Sequence, residues 1–314
     1  MSDKIQMWRN RLVKNLARLA AWRKREDVTC FRVYDRDIPE LPFQVDVYES
    51  SVFFVAYAPR HGGGASFDAF VNACADVVAD VCGVLRDRIV VQTRERERGG
   101  EVEAEDADAS EFDVVVREAR AKFRLRLGAR RDPGLFLDHR TTRALVAKEI
   151  AGRSLLNLFA YTGSFSVQAA LSQASSTTSM DLSARTCRWA EENLALNGLD
   201  PKKHRVICQD VLAYLESDEE RGAYDVVVVD PPSFSRSKRA ARNFNVAKDH
   251  TWLIGRSLMK CRSGGTVWFS TNLRGFSLAR DAARDDVSIV DVTAQTKPPD
   301  FQQQPHRCFR VTRA

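Results

Sequence analysis

Four consecutive valines, Val226-Val227-Val228-Val229, run directly into Asp230-Pro231-Pro232-Ser233-Phe234. A β-branched run without polar alternation belongs to a strand covered on both faces, as in a parallel sheet flanked by helices. The prolines lack a backbone N–H and fix φ, so the strand ends there and leaves Asp230 at its carboxyl edge, where open α/β sheets bind ligands. A carboxylate, a rigid turn and the Phe234 ring then share one rim.

Strand and helix patterns alternate around this run. Strand-like segments at 155–159, 176–180, 206–207, 226–229 and 265–270 are interleaved with helical ones at 166–171, 184–197, 211–216 and 247–259. That alternation predicts a doubly wound, mainly parallel sheet. Upstream, 29–59 reads as short strands, Gly62-Gly63-Gly64 as a turn, 66–85 as a helix, and 89–91, 112–116 and 123–127 as further strands. The stretch 94–110, mixed in charge and then acidic, reads as a surface loop. The chain of 314 residues is long enough to bury two cores. It divides into 1–127, a basic helix plus an α+β domain with a role in RNA recognition, and 128–314, the α/β domain.

A net charge of +6 and a pI of about 9.0 lean towards an anionic partner. The first segment places Trp8, Leu12, Leu16, Leu19 and Trp22 on one helical stripe, with Arg11, Lys14 and other cations on the remaining faces. Such cations can engage RNA phosphates, or they can form a solvated face. The seven cysteines are scattered and never spaced as C-x-x-C. They read as the reduced thiols of a cytoplasmic protein and imply no metal site. No segment has the roughly 18 apolar residues of a membrane span, and no signal-peptide core is present.

The first strand of the α/β domain opens into Tyr161-Thr162-Gly163-Ser164, and Asp181 ends the second strand. A carboxylate about 20 residues beyond a glycine turn can accept two hydrogen bonds from a ribose diol. The turn lacks the G-x-G-x-x-G triplet that approaches a pyrophosphate, which argues against NAD and for a cofactor such as S-adenosylmethionine. Asp210, after the third strand, can then receive an adenine amino group. Singly, Asp181 and Asp210 fit helix caps; in register with Gly163 and Asp230 at four strand ends, they read as a cofactor site.

Several motifs carry a family resemblance. Asn157-Leu158-Phe159-Ala160-Tyr161-Thr162-Gly163-Ser164, Met180-Asp181-Leu182-Ser183, Trp189-Ala190-Glu191-Glu192-Asn193-Leu194 and Asp230-Pro231-Pro232-Ser233-Phe234-Ser235 resemble the Rossmann-like methyltransferases of ribosomal RNA, in particular the RlmK half of the RlmKL family. Gly134-Leu135-Phe136-Leu137-Asp138-His139-Arg140 and Phe269-Ser270-Thr271-Asn272-Leu273-Arg274-Gly275-Phe276 extend the similarity. The resemblance implies a class I S-adenosylmethionine-dependent fold and methylation of guanine N7 in 23S rRNA. It implies cofactor contacts by Asp138, Arg140, Asn157, Phe159, Tyr161, Thr162, Gly163, Asp181, Leu182, Ser183, Asn193, Asp210, Val211 and Asp230. Catalysis falls to Asp230, Pro231, Pro232 and Phe234. RNA contacts fall to Arg11, Lys14, Arg236, Lys238, Arg239 and Arg274, with Arg242 and Phe244 in the same loop.

Guanine N7 offers an in-plane lone pair, so its methylation needs alignment more than a base. Asp230 then positions the base or stabilises the cationic product, and Phe234 either stacks on an extruded guanine or packs under its own loop. The related rRNA cytosine-C5 enzymes resemble this chain but carry Ser-Cys-Ser where Ser270-Thr271-Asn272 stands. The missing cysteine argues against pyrimidine-carbon methylation. His250 reads as a cap or packing residue. Two alternatives stay open: methylation of an exocyclic amine or protein amide, weakened by Ser233 after the prolines, and a non-catalytic RNA-binding protein. Expected partners are 23S rRNA or a ribosomal precursor particle, and a separate methyltransferase or helicase, since no second methyltransferase module or THUMP segment accompanies this one.

Overall fold

The computed structural model describes residues 2–59, 64–95, 112–128, 132–235, 242–279 and 287–313. The chain separates into two compact units, Met1–Leu137 with Pro299–Gln302, and Asp138–Pro298 with Gln303–Ala314. The division therefore falls later than the 127/128 boundary read from the sequence. Gly128 does follow the last strand of the first unit, but the chain beyond it still bonds back, Arg126 N–H donating to the Pro133 carbonyl at 2.9 Å.

In the first unit, helix α1 (Ser2–Glu26) precedes β1 (Cys30–Asp35), β2 (Phe43–Tyr48) and β3 (Ser51–Ala58), an antiparallel series; α2 (Gly64–Cys82) then leads to β4 (Ile89–Glu95), parallel to β3. Arg94 and Glu95, read from sequence as the start of a loop, thus close a strand, and Gly64 opens a helix. Residues 96–111, which hold the acidic run, and Gly62 and Gly63 lie outside the described residues. A hairpin of β5 (Phe112–Glu118) and β6 (Ala121–Leu127) follows. The stripe on α1 behaves as its spacing requires: Trp8, Leu12, Leu19 and Trp22 are buried. Trp8 sits edge-on to Tyr34 at 4.6 Å and donates its indole N–H to the Cys74 carbonyl at 3.0 Å.

The second unit contains α3 (Arg140–Lys148), β7 (Ser154–Leu158), α4 (Ser164–Leu171), β8 (Ser176–Asp181), α5 (Ala184–Leu196), β9 (His204–Cys208), α6 (Val211–Glu216) and β10 (Tyr224–Val229). Then come β11 (Phe234–Ser235), β12 (Phe244–Asn245), α7 (Val246–Lys260), β13 (Cys261–Thr271), β14 (Val287–Asp291) and β15 (Arg307–Arg313). Its seven-stranded sheet has the order β14-β15-β13-β10-β7-β8-β9. The five strands from β9 to β13 are parallel, and β15 runs antiparallel to both β13 and β14. Strand order reverses between β7 and β10, which makes their carboxyl ends the ligand crevice.

The valine run is covered on both faces. Val227 and Val229 join one hydrophobic cluster with Leu156, Leu158 and Phe269, while Val226 and Val228 join another with Leu155, Phe165 and Trp268. All four are essentially inaccessible. The seven cysteines are free thiols. Among the described residues no helix is long and apolar enough to cross a membrane.

Candidate active site

The loop leaving β7 is built from left-handed backbone. Phe159 (φ 54°), Tyr161 (φ 51°) and Gly163 (φ 77°) alternate with ordinary residues, and for a bulky side chain this region is strained. The surroundings hold the shape. Tyr161 N–H donates to Asp181 Oδ2 at 2.9 Å, Ala160 N–H to the Met180 carbonyl at 2.9 Å, and Asn193 Nδ2 to the Thr162 carbonyl at 3.0 Å. Asn157 Nδ2 donates to Ser166 Oγ at 3.2 Å, which also receives Ser179 Oγ at 2.6 Å. Asn157, Asn193 and Thr162 are buried. Asn157 and Asn193, expected as cofactor contacts, each donate a side-chain N–H to this loop region, Asn157 to Ser166 and Asn193 to the Thr162 carbonyl, and so help to shape it.

Asp181 ties that loop to the next one. Its Oδ1 accepts from Ser183 N–H at 3.0 Å and from Thr186 Oγ at 2.8 Å. The Thr186 hydroxyl also lies 2.9 Å from the Ser183 carbonyl; its single proton can go to either acceptor. A carboxylate has about four acceptor positions, so turning that hydroxyl towards Ser183 leaves one position on each Asp181 oxygen. The residue thus fits a ribose diol as well as the loop. Ser183 caps α5 and Asp210 caps α6, accepting from Thr186 N–H and Leu212 N–H respectively, while Val211 is buried. Leu182 and Asp210 stay at the carboxyl edges of β8 and β9.

At the end of β10, Asp230 meets residues from two other segments. Ser270 Oγ donates to Oδ1 at 2.7 Å, and His139 Nε2 lies 3.1 Å from Oδ2. The His139 ring stacks on His306, with centroids 4.2 Å apart and planes 16° apart. His306 in turn lies 3.4 Å from Asp138 Oδ2 and 3.3 Å from Thr142 Oγ. Burial raises the pKa of Asp230, but the His139 charge and the hydrogen bonds from His139 and Ser270 outweigh it and hold the carboxyl below its usual range. Asp138, His139 and His306 each bring a possible metal ligand atom within 4.8 Å of the others. Nearly parallel stacked rings, however, aim their in-plane lone pairs side by side and cannot converge on one ion. Arg140 is buried at the start of α3.

Sequence reasoning missed His139, Ser270 and His306 as members of this group. His139 and Ser270 stand inside motifs already quoted for other residues. His306 precedes β15, a strand the pattern did not reveal; the antiparallel pairing Thr271↔Arg307 brings it to the edge that holds Asp230.

Past Asp230, Pro231 is buried and Pro232 exposed, and Ser233 Oγ donates to Asn272 Oδ1 at 2.8 Å, linking the turn to the end of β13. Thr271 is buried, its Oγ accepting from Leu273 N–H at 3.2 Å. Phe234 is 52% exposed, so about half of its surface is open to solvent beside the turn. Arg242 is engaged locally: it lies 3.5 Å from both Glu216 and Asp249, with its guanidinium over Trp252 at 4.2 Å. Phe244 is a core residue. His250 packs, its two ring nitrogens meeting the Val246 carbonyl and Ala279 N–H. Arg274 is exposed; Arg236, Lys238 and Arg239 lie outside the described residues. In the first unit Arg11 and Lys14 line a shallow surface concavity with Asp3, Gln6, Met7, Asn10 and Ile38.

The sequence model of the S-adenosylmethionine-dependent methyltransferases matches residues 76–308. Ribosomal RNA large subunit methyltransferase K of Neisseria meningitidis is 37% identical over 319 residues, covering 99% of this chain and 88% of its own length. The K/L protein of Stutzerimonas stutzeri is 39% identical over 315 residues, covering 99% of this chain but 43% of its own length. The chain therefore spans less than half of the K/L relatives it matches. In structure it resembles SMU.776 complexed with SAH, with a TM-score of 0.76 and 21% identity over 98% of this chain and 81% of the other. The chain belongs to the S-adenosylmethionine-dependent methyltransferases, in the family that includes the ribosomal RNA large subunit methyltransferases K and K/L.

Proposed function

We propose that this methyltransferase modifies N7 of a guanine in 23S rRNA, free or within a ribosomal precursor particle. The observation that carries the reading is the acceptor edge itself. Asp230 is held as a carboxylate by His139 and Ser270, and the position where carbon-methylating relatives carry a thiol is a buried Thr271.

Bound S-adenosylmethionine supplies an electrophilic sulfonium methyl group. The loop of Phe159, Tyr161 and Gly163, backed by Asn193 and tied to Asp181, orients the donor, and the crevice between β7 and β10 brings donor and acceptor together. Guanine N7 attacks with its own lone pair and gains positive charge, which the Asp230 carboxylate is placed to stabilise. An exocyclic amine must also lose a proton. A carboxylate held below its usual pKa is a weak acceptor for that proton, which favours N7 over the amine. Phe234 supplies an exposed ring for an extruded base, and Arg11, Lys14 and Arg274 are candidate phosphate contacts. A substrate of this kind would place the protein in the cytoplasm, with a separate methyltransferase or helicase as a candidate partner on the same RNA.

Incubation with labelled S-adenosylmethionine and unmodified 23S rRNA, followed by nucleoside mass spectrometry, tests this. The expected product is 7-methylguanosine. A methylated cytosine or methylated exocyclic amine in its place would overturn the reading.

A further inference from the structure

His139 is a buried histidine whose Nε2 faces Asp230 Oδ2 at 3.1 Å, while its Nδ1 has no hydrogen-bond partner among the described residues. A buried polar atom left unpaired calls for an explanation. The ring is fixed from behind by its stack on His306, and His306 is fixed by Asp138 and Thr142. This arrangement gives up one nitrogen to hold the other on a single carboxylate.

The charged and titratable groups facing His139 are Asp230, Asp138, Arg143 and His306. Burial lowers the pKa of His139, but Asp230 and Asp138 outweigh it, against Arg143, and leave it above the ordinary 6.5. His306 moves the other way: burial and the charge on His139 outweigh Asp138 and hold it below 6.5. Two stacked imidazolium rings would repel, so the pair holds its proton on the ring that faces Asp230.

Resting on the reading of Asp230 as the acceptor-edge carboxylate, we propose that His139 is a positioning residue for Asp230 and the titrating group that sets how much negative charge that edge presents to the purine. With His139 protonated, the His139–Asp230 pair is neutral. Loss of the unpartnered Nδ1 proton to solvent keeps the Nε2–H on Oδ2, so the geometry survives and the pair carries one negative charge. Transfer breaks the bond from sulfur to the methyl carbon, sulfur keeping the electron pair, and forms the N7–carbon bond. A neutral guanine becomes a cation, and the deprotonated His139 form favours that change.

Two measurements test this. Imidazole NMR on the full chain is expected to show His139 titrating above 6.5 and His306 below it, with the His139 value falling in Asp230→Asn. A His139 titration that does not move in Asp230→Asn overturns the proposal. In methyl transfer to 23S rRNA, kcat of the wild type is expected to fall on the acid side along the His139 titration. His139→Gln keeps an N–H donor but cannot titrate. It should flatten that limb down to about pH 5 and lose less than about tenfold in kcat. His139→Leu should lose about a hundredfold or more, with KM for S-adenosylmethionine changed by less than about threefold. An acid limb that persists in His139→Gln, or equal losses in both variants, overturns the proposal. Absence of 7-methylguanosine with the wild type would overturn the substrate reading alone, and the NMR comparison would still decide whether Asp230 governs His139.

Discussion

Gly163 lies against Ala190 so closely that a Cβ added at Gly163 would stand 3.0 Å from the Ala190 Cβ, on a backbone already at φ +77°. Both the crowding and the left-handed conformation oppose a side chain there. Gly163→Ala is predicted to destabilise the protein by about 1–3 kcal/mol and to weaken S-adenosylmethionine binding by about tenfold or more. Thermal unfolding and titration calorimetry read the two effects. Unchanged affinity would disconnect the loop's shape from the cofactor.

Asp181 accepts from the backbone of two loops at once, through Tyr161 and Ser183. Removing the carboxylate in Asp181→Ala strands both N–H groups, each worth about 1–3 kcal/mol if left unsatisfied, and deletes the ribose acceptor. We expect more than about a tenfold loss in S-adenosylmethionine affinity by calorimetry. Binding equal to the wild type would remove Asp181 from the cofactor site.

Asp230→Asn is predicted to abolish transfer while leaving S-adenosylmethionine affinity within about tenfold, roughly 1.4 kcal/mol. Its effect on stability depends on pH. Despite burial, His139 and Ser270 hold the folded pKa of Asp230 below 3.8, so its stabilisation is present above the unfolded value and lost as pH falls through the folded one. Despite burial, Asp230 and Asp138 hold the folded pKa of His139 above 6.5, so its stabilisation is complete below 6.5 and lost as pH rises through the folded value. The Tm deficit of Asp230→Asn should therefore be largest between 3.8 and 6.5 and shrink on either side. A deficit independent of pH would contradict the pairing.

Phe234 is half exposed and belongs to neither hydrophobic cluster that flanks the valine run. Phe234→Ala should leave Tm and S-adenosylmethionine affinity unchanged and weaken RNA-dependent turnover by the roughly 1–3 kcal/mol that base–aromatic stacking supplies. Equal turnover on RNA would dismiss the stacking role.

Arg11 and Lys14 share one face of α1. If both meet phosphates, replacing them with alanine should reduce the salt dependence of RNA binding by about 0.7–0.9 log units per contact. A double variant with the wild-type salt slope would return them to the solvated surface.

The parallel part of the sheet is legible in sequence because strand-like and helical segments alternate, and four of the strands run into marked positions: the Gly163 turn, Asp181, Asp210, and the prolines after Asp230. The remainder is hidden for physical reasons. Helix α3 buries Arg140, Thr142, Arg143 and Val146, so its inward face carries no apolar stripe. Strand β14 has no fully buried residue, and β15 takes its place in the sheet only through pairing with strands distant in sequence. His306 belongs to the site through contact with Asp138, 168 residues away, a relation no local pattern encodes. The strain at Phe159 and Tyr161 is equally silent, since aromatic residues give no hint of a left-handed backbone.

The four valines do more than place Asp230 at an edge. They form the common wall between two hydrophobic compartments, Val227 and Val229 facing one and Val226 and Val228 the other. A loss of volume in either compartment is transmitted to the same strand and so to the carboxylate at its end. The reacting position is thereby a gauge of packing on both sides of the sheet, so substitutions far from the crevice can change the alignment of donor and acceptor without touching either.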